Sequence, residues 1–339
     1  MQNNVFIVGN GFDLALGLPT KYSNFAHSDF WPISHDAEIT RLHHRQKGYM
    51  GLEEYLNGKK DLDTWFDLEQ ELYNYARQKK FGAEITSEED KDEIRRNVSY
   101  FKLLHSIIQN ENKDDVKRNI KYYKLLQKRM CEYIKSVQND FGDFHYDVAR
   151  DVLKAVVDNG FFNSMYSFNY TELPPISGHN SVECFHLHGR VKDSTAILGV
   201  DEKPLREGYE DLMKTSSKFY KSHDLYNALA FANEVVIFGV SFGDIDYSYF
   251  DRFFKGIVNK ESIKEGDKQY ITIFTKDDIS RMAILRQLRK MEIDMQRLYA
   301  QSKLQIICTH DEDIQDKVSI FKERLVKNSA KKNPQYHVI

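Results

Sequence analysis

The amino-acid sequence predicts an α/β protein built on a doubly wound, mostly parallel sheet with an inserted helical subdomain. Two observations favour this fold class: short apolar segments of strand length recur along the chain, and segments with helical spacing of apolar residues lie between them. Such alternation is typical of a Rossmann-like sheet. The predicted strands are Val5–Val8, Ser164–Phe168, Val182–Leu187, Glu234–Val240, Tyr270–Thr275 and Leu304–Thr309.

The first strand and the last crossover support this prediction most directly. Every position of Val5–Val8 is apolar and Gly9 ends the run, as expected of a strand buried on both faces of a parallel sheet. Between the last two strands, apolar residues recur at helical spacing across Asp278–Tyr299, which predicts a helix over that range.

The stretch from Leu52 to Gly160 differs from the rest of the chain. It is rich in Lys, Glu and Tyr, it contains no strand-like run, and its apolar residues follow helical spacing. We therefore predict a helical insertion there. The predicted organisation is residues 1–51 as the first part of a nucleotide-binding α/β domain, 52–160 as the insertion, 161–325 as the rest of the α/β domain and 326–339 as a flexible tail.

Composition and charge exclude several classes of protein. The chain has 339 residues, 41% of them hydrophobic, and a net charge of -3 with both signs interspersed. It therefore lacks the overall field that attracts nucleic acid or an anionic membrane. Three widely spaced cysteines argue against a disulfide framework, no apolar run approaches the roughly 18 residues of a membrane span, and the N-terminus lacks a secretion signal. We expect a soluble, cytoplasmic protein with no membrane partner.

The first chemical motif is Gly9-Asn10-Gly11-Phe12-Asp13, followed by Gly17-Leu18-Pro19-Thr20. Two glycines directly after a buried first strand let backbone N–H groups approach a phosphate, and the following helix adds the positive end of its dipole. Because position 14 is Leu, the full dinucleotide fingerprint is absent, and a tight turn is the alternative explanation. The residues predicted to bind a nucleotide here are Gly9, Asn10, Gly11, Phe12, Asp13 and Thr20.

Two further motifs follow the second and third predicted strands. Asn169, within Ser167–Thr171, offers two donors and an acceptor, which suits a ribose hydroxyl or a water molecule; the alternative is that it caps the next segment. In His186-Leu187-His188-Gly189, strand alternation puts both histidines on one face, as catalytic candidates or as satisfied core residues. No nearby carboxylate or cysteine completes a ligand set, so no metal is predicted.

The fourth motif is the loop Gly239–Asp246, which follows an apolar strand and contains G-x-S-x-G around Ser241. One interpretation is the nucleophile elbow of a serine hydrolase, with Asp277 and His310 following in the order of a catalytic triad. The other is a second nucleotide loop, in which the serine donates to a phosphate and an aspartate binds ribose hydroxyls. The nucleotide-binding residues predicted from this loop are Gly239, Ser241, Asp244 and Asp246.

A fifth motif, Trp65–Glu69, falls on a predicted helix. Trp65, Leu68 and Leu72 have the spacing of a packing stripe, which is the simpler explanation of the motif. The alternative is that Glu69 points into a ligand cleft.

Taken together, these motifs resemble those of the AbiH family of bacterial abortive-infection proteins. The N-terminal glycine motif is the most specific match, and the others follow in family order to about residue 250. The matching motifs are Gly9–Asp13, Gly17–Thr20, Trp65–Glu69, Ser167–Tyr170, His186–Gly189 and Gly239–Asp246. The resemblance implies antiphage defence. The partners considered for that role are a phage component or a companion defence protein as the trigger, and a second copy of the chain in a homo-oligomer.

The same motifs also resemble a divergent sirtuin-type NAD-binding fold. That resemblance implies that Gly9–Gly11 holds the phosphates of NAD, that Asn169 positions the ribose on the nicotinamide side and that His188 is the base. The chain departs from sirtuins in three ways. It lacks the zinc-binding cysteine tetrad, it has Asp13 where sirtuins favour a small hydroxyl residue, and it lacks their arginine after Pro19.

We therefore predict an abortive-infection protein that binds NAD, a small-molecule nucleotide, and hydrolyses it to nicotinamide and ADP-ribose. The resemblance makes Asn169 and His188 the catalytic residues of that reaction. Two alternatives stay open at this point: a serine hydrolase that uses Ser241, and a nucleotide sensor without catalytic activity.

Overall fold

The structure of the chain is a computed structural model. It describes residues 4–33, 50–61, 66–77, 111–138, 148–159, 162–174, 184–201, 204–220, 225–243 and 246–332. The strands in these ranges are β1 Asn4–Val8, β2 Phe162–Ser167, β3 Cys184–His186, β4 Glu234–Phe238, β5 Gln269–Thr275 and β6 Ser302–Cys308. The α-helices are α1 Asn10–Ala15, α2 Tyr22–Ala26, α3 Leu52–Lys60, α4 Leu68–Ala76, α5 Lys113–Val137, α6 Val148–Asp158, α7 Leu225–Ala230, α8 Tyr247–Val258, α9 Asp278–Lys290, α10 Met295–Gln301 and α11 Ile314–Lys332.

The six strands form one parallel sheet in the order β3-β2-β1-β4-β5-β6. The chain begins at the centre, adds β2 and β3 on one side, and then returns to add β4, β5 and β6 on the other. The prediction of a doubly wound parallel sheet is confirmed, and the strand bounds agree with the prediction to within two residues wherever the chain is described. The strand order reverses between β1 and β4, the position at which open α/β sheets bind ligands.

The central strands are buried on both faces, and successive side chains enter two separate apolar cores. In β1, Val5 and Ile7 pack into one core together with α7, α8 and α9. Phe6 and Val8 pack into the other core, which includes side chains of α1, α6 and α11. This burial on both faces is the physical reason why β1 is apolar at nearly every position.

The prediction of a single helix over Asp278–Tyr299 is wrong in one respect, because two helices, α9 and α10, occupy that range. Between them, Glu292 adopts a left-handed conformation with a φ of 59°, which ends the first helix. Asp294 then caps the second helix by accepting a hydrogen bond from the Arg297 N–H at 3.0 Å. Met291 is fully buried in the interruption, so apolar spacing continues through the break and hides it from the periodicity.

Contacts divide the chain into two compact units. Unit 1 comprises residues 1–20, 134–196 and 221–339 and contains the whole sheet, whereas unit 2 comprises residues 21–133 and 197–220. The predicted helical insertion overlaps unit 2 up to residue 133. Helix α6 lies beyond that point and packs in unit 1, because its apolar face shares a core with β1 and β2.

The longest described helices are α5, with 25 residues, and α11, with 19. Neither of them, nor any other described helix, combines the length and the hydropathy needed to cross a membrane. Helix α11 includes residues 326–332, which were predicted to belong to a flexible tail. The remaining residues of that predicted tail, 333–339, lie outside the described ranges.

Within unit 2, α4 carries the end of the tryptophan motif. Trp65 lies outside the described residues, and Leu68 is fully buried, as a packing stripe requires. Glu69 is buried as well, and its carboxylate accepts hydrogen bonds from the Gly199 N–H at 3.3 Å and from Lys214 Nζ at 3.2 Å. The motif therefore holds together the two chain segments that form unit 2.

Arg324 of α11 joins three strands of the sheet in unit 1. Its guanidinium donates to Glu234 of β4 at 2.7 Å, to Thr272 Oγ1 of β5 at 2.7 Å and to Gln305 of β6 at 2.8 Å. Glu234 is buried, and burial raises the pKa of its carboxyl group, while the charge of Arg324 opposes that rise. A buried carboxylate of this kind depends strongly on its cationic partner.

We expect Arg324→Met to lower the free energy of unfolding by about 3 kcal/mol, because it leaves Glu234 buried without its cation. Lys322→Met is the matched control on the same helix. Lys322 pairs with Asp151 at 3.3 Å, but both side chains are 41% exposed, so its loss should cost at most about 1 kcal/mol. Urea unfolding of both variants measures the difference, and equal losses would contradict the assigned role of Arg324.

Candidate functional site

The candidate site lies where β1, β2, β3 and β4 end, at the carboxyl edge of the sheet in unit 1. The loops after β1 and β4 flank the point of strand-order reversal, and the loop after β2 is next to the loop after β1. The structure therefore brings the motifs that begin at Gly9, Ser167, His186 and Gly239 to one edge. This convergence follows from the topology, because parallel strands all end on the same side.

The glycines after β1 and β4 allow two loops to touch through their backbones. The N–H of Gly9 donates to Phe238 O, and that of Gly11 donates to Gly239 O, both at 2.9 Å. A Cβ atom at Gly11 would lie 2.6 Å from the Cα of Gly239, and Gly239 itself has a φ of +70°. Larger residues would push the loops apart.

This contact corrects the predicted roles of several residues. Gly9 and Gly11 were expected to present their N–H groups to phosphate, but those groups donate to the end of β4. Phe12 was expected at the nucleotide as well. Its ring is instead fully buried and packs edge-on against Phe238 at 5.3 Å, as a core residue.

Asp13 is the buried acidic centre of the site. Asn169 Nδ2 donates to its Oδ1 and Thr171 Oγ1 donates to its Oδ2, both at 2.8 Å. Burial raises the pKa of Asp13 from 3.8 to about 7, although hydrogen bonds from Thr171 and Asn169 partly offset that rise. Asp13 therefore fastens α1 to the loop after β2 and does not lie at the surface where a ligand would bind.

Asn169 has both of its amide hydrogens engaged by the protein. Besides its bond to Asp13, Nδ2 donates to Gly9 O at 2.9 Å, and the residue is buried. The side chain thus joins the loops after β1 and β2 across the sheet. This role differs from the capping of the next segment that was the alternative explanation in the sequence analysis. With two hydrogens used, the carboxamide oxygen is the group left to accept a hydrogen bond from a ligand.

Asn10 and Thr20 are the accessible polar residues of the first loop. Asn10 is exposed, and Thr20 Oγ1 donates to its Oδ1 at 2.6 Å. They were both predicted to contact a nucleotide. The exposure of Asn10 makes it better placed for that role than the two glycines beside it, and Thr20 is partly exposed.

The two histidines of the His186–Gly189 motif have different surroundings. The prediction placed both histidines on one face of a strand. Strand β3 ends at His186, however, so strand alternation does not extend to His188. His188 is buried, with its ring centroid 5.6 Å from Phe168 and 6.4 Å from both Tyr170 and Tyr249.

His186 is partly buried and has a polar partner. Its Nδ1 lies 3.0 Å from the backbone oxygen of Asn169. Because His186 and Thr171 occur within motifs already recognised in the sequence, their proximity to Asn169 could have been anticipated. Tyr249 lies on α8, far along the chain, and no local pattern connects it to the site.

The loop after β4 does not have the geometry of a nucleophile elbow. In an elbow the serine sits in the strained turn and a helix starts immediately after it. Here Ser241 is exposed, the left-handed non-glycine residue is Phe242 with a φ of 55°, and α8 begins only at Tyr247. Asp246 adjoins that helix, and Asp244 lies outside the described residues.

The predicted triad partners are also explained by the fold. Asp277 caps α9 and accepts from both the N–H and the hydroxyl of Ser280, at 2.8 and 2.7 Å. These hydrogen bonds lower the pKa of Asp277. His310 follows the edge strand β6, two strands away from β4. The geometry therefore disfavours a serine hydrolase.

We expect the stability of the protein to fall as the pH rises through 7, because of Asp13. Its pKa in the folded state, about 7, exceeds the value of 3.8 in the unfolded chain. The stabilisation is therefore full below pH 3.8, declines progressively as the pH rises from 3.8 to 7, and is lost above 7. Between pH 5 and 8 the loss should be roughly 2.5 kcal/mol. Asp13→Asn, a neutral isostere, should flatten this dependence in urea unfolding at the two pH values; an unchanged slope would refute the assignment.

The chain matches a model of a known protein family. A family model described as Bacteriophage abortive infection AbiH matches residues 5–264, a range that begins in β1 and includes all the loops of the candidate site. No curated protein and no solved structure matches the chain. Since the match covers well over half of the 339 residues, the chain belongs to the AbiH family of bacteriophage abortive infection proteins.

Proposed function

We propose that this AbiH protein carries out phage abortive infection by hydrolysing NAD to nicotinamide and ADP-ribose. Family membership gives the coarser role, antiviral defence by abortive infection. The observation that carries the finer proposal is the anchored carboxamide of Asn169 at the carboxyl edge of the sheet. Depletion of NAD stops the metabolism of an infected cell, which is a direct route to abortive infection.

The Asn169 oxygen supports the placement of a ribose. A carboxamide whose two hydrogens are held by Gly9 O and Asp13 cannot rotate without breaking both bonds. Its oxygen is therefore preorganised to accept a hydrogen bond from a hydroxyl of the substrate or from the attacking water. Fixed orientation of this kind is a major source of catalysis for reactions that need little proton transfer to the leaving group.

The exposed polar residues of the neighbouring loops support the placement of the phosphates. Asn10 after β1 and Ser241 after β4 lie on either side of the strand-order reversal, where dinucleotides bind in folds of this class. Thr20 orients the side chain of Asn10. We assign these three residues to the phosphates and Asp246 or Asp244 to a ribose hydroxyl.

The proposed reaction requires modest assistance from the protein. The bond between C1′ of the ribose and the nicotinamide nitrogen breaks, and its electron pair neutralises the positive charge of the leaving nicotinamide. The transition state resembles an oxocarbenium ion, as in other glycosidic cleavages. Water then bonds to C1′, and a histidine of the His186–Gly189 motif accepts the proton that water releases.

The activity has to be switched on by infection, since continuous NAD loss would kill an uninfected cell. We therefore place a phage component or a companion defence protein as the trigger, and assembly of a homo-oligomer as one way to transmit it. A nucleotide sensor is the alternative function, because binding of NAD would use the same loops without turnover.

We expect the purified protein, activated where activation is required, to release nicotinamide from NAD. The variant Asn169→Ala should lower kcat about 100-fold or more, because the substrate is no longer positioned. Thr171→Val is the matched control. Thr171 donates to the other oxygen of Asp13, so this variant removes an equivalent structural hydrogen bond without removing the Asn169 carboxamide. Its kcat should stay within about tenfold of the wild-type value.

Chromatographic assay of nicotinamide, together with unfolding of each variant, separates the two possible roles of Asn169. Equal losses of turnover in Asn169→Ala and Thr171→Val would assign Asn169 to structure alone. Binding of NAD by calorimetry without any turnover in the wild-type protein would favour the sensor.

A fluorophosphonate probe, which labels nucleophilic serines, tests the hypothesis that the protein is a serine hydrolase. Because the left-handed conformation falls on Phe242 and not on Ser241, and because Asp277 is occupied as a helix cap, we expect no labelling of Ser241. Ser241→Ala provides the control for labelling at other serines. Covalent modification that maps to Ser241 in the wild-type protein, and is lost in the variant, would reverse the order of the two enzyme hypotheses.

A further inference from the structure

We propose that His186, rather than His188, is the proton acceptor of the site and that it acts through Nε2. This inference rests on the proposed function and assigns a residue that the family resemblance did not. It follows from a hydrogen bond between the His186 ring and the backbone of Asn169, and from the contrasting surroundings of the two histidines.

The hydrogen bond of His186 determines which ring nitrogen can act as a base. Its Nδ1 lies 3.0 Å from the carbonyl oxygen of Asn169. A carbonyl oxygen can only accept, so Nδ1 must carry the hydrogen in this contact. In the neutral ring, Nε2 then has the lone pair and is ready to accept a proton.

The cation that acts on His186 is itself paired with carboxylates. Arg190 lies 3.4 Å from Glu172 and 2.5 Å from Asp193, so the nearest cation is paired with two carboxylates. Burial lowers the pKa of His186, while the hydrogen bond to Asn169 O opposes the shift. The ring is therefore neutral at pH 7, as a base must be before it accepts a proton.

The surroundings of His188 suit packing. Its ring is 5% exposed and lies edge-on to Phe168, with Tyr170 and Tyr249 also within ring-contact distance. An imidazole buried among three aromatic rings is less accessible to water and substrate than the partly buried ring of His186. We therefore assign His188 to the support of the loop after β3.

Asn169 connects His186 to the rest of the site. Its side chain is fixed by Gly9 and Asp13, and its backbone oxygen fixes the imidazole of His186. The carboxamide oxygen and Nε2 thus belong to one hydrogen-bonded assembly. In the proposed step, water bonds to C1′ of the ribose and its proton passes to Nε2, which forms an imidazolium that later releases the proton to solvent.

His186→Asn tests this assignment, because the asparagine NH2 can replace Nδ1 and keep the bond to Asn169 O, whereas Nε2 is lost. We expect kcat for nicotinamide release to fall about 10²–10⁴-fold, with the KM for NAD changed only a few-fold. His188→Phe preserves an aromatic ring and should retain kcat within about tenfold. The opposite ranking of the two variants would overturn the proposal.

Chemical modification supplies a readout that does not depend on turnover. Diethylpyrocarbonate reacts with neutral imidazole, so His186 should be modified in the wild-type protein and in His188→Phe. NAD at ten times its dissociation constant should slow that modification about tenfold, as measured by peptide mass spectrometry. Unchanged modification of His186 in saturating NAD would overturn the assignment.

The outcomes distinguish this inference from the proposed function. Turnover in the wild-type protein together with an active His186→Asn variant would reject His186 as the base and leave NAD hydrolysis standing. Absence of turnover in an activated wild-type sample would reject NAD hydrolysis, and with it any role of His186 as its base.

Discussion

The buried carboxyl group of Asp13 is the constraint on which the candidate site depends. It receives one hydrogen bond from Asn169 and another from Thr171, and it belongs to the helix that follows the central strand. Burial of an acidic group is unfavourable unless such donors satisfy it. The loop after β2 is thereby fixed against the loop after β1, and the orientation of the Asn169 carboxamide follows from that attachment.

The glycine motif illustrates how one sequence pattern can satisfy two physical requirements. Close approach to a phosphate and close approach to another loop both need residues without a Cβ atom. Here the second requirement accounts for Gly9 and Gly11, because both face the end of β4. The nucleotide, under the proposed function, then depends on exposed side chains from the same loops. The sequence motifs predicted that these loops share one edge of the sheet, but not which of their atoms face outward.

Most of the fold could be predicted from the sequence, because burial on both faces leaves a clear apolar pattern in a parallel strand such as β1. The break between α9 and α10 could not, since buried Met291 continues the helical spacing through it. At the site, Asn169 was recognised by residue type and position. Its partnership with Asp13 was not, because it joins residues 156 positions apart, a separation at which no local pattern acts.

The position of β1 in the sheet also has a consequence for synthesis of the protein on the ribosome. Its neighbours, β2 and β4, begin only at residues 162 and 234, so the first strand emerges long before either can pair with it. At a translation rate of about 5–20 residues per second, β1 waits roughly 10–30 seconds for β2 alone. During that interval the apolar segment Val5–Val8 has no sheet partner, so its burial in the sheet must wait for strands that are made much later.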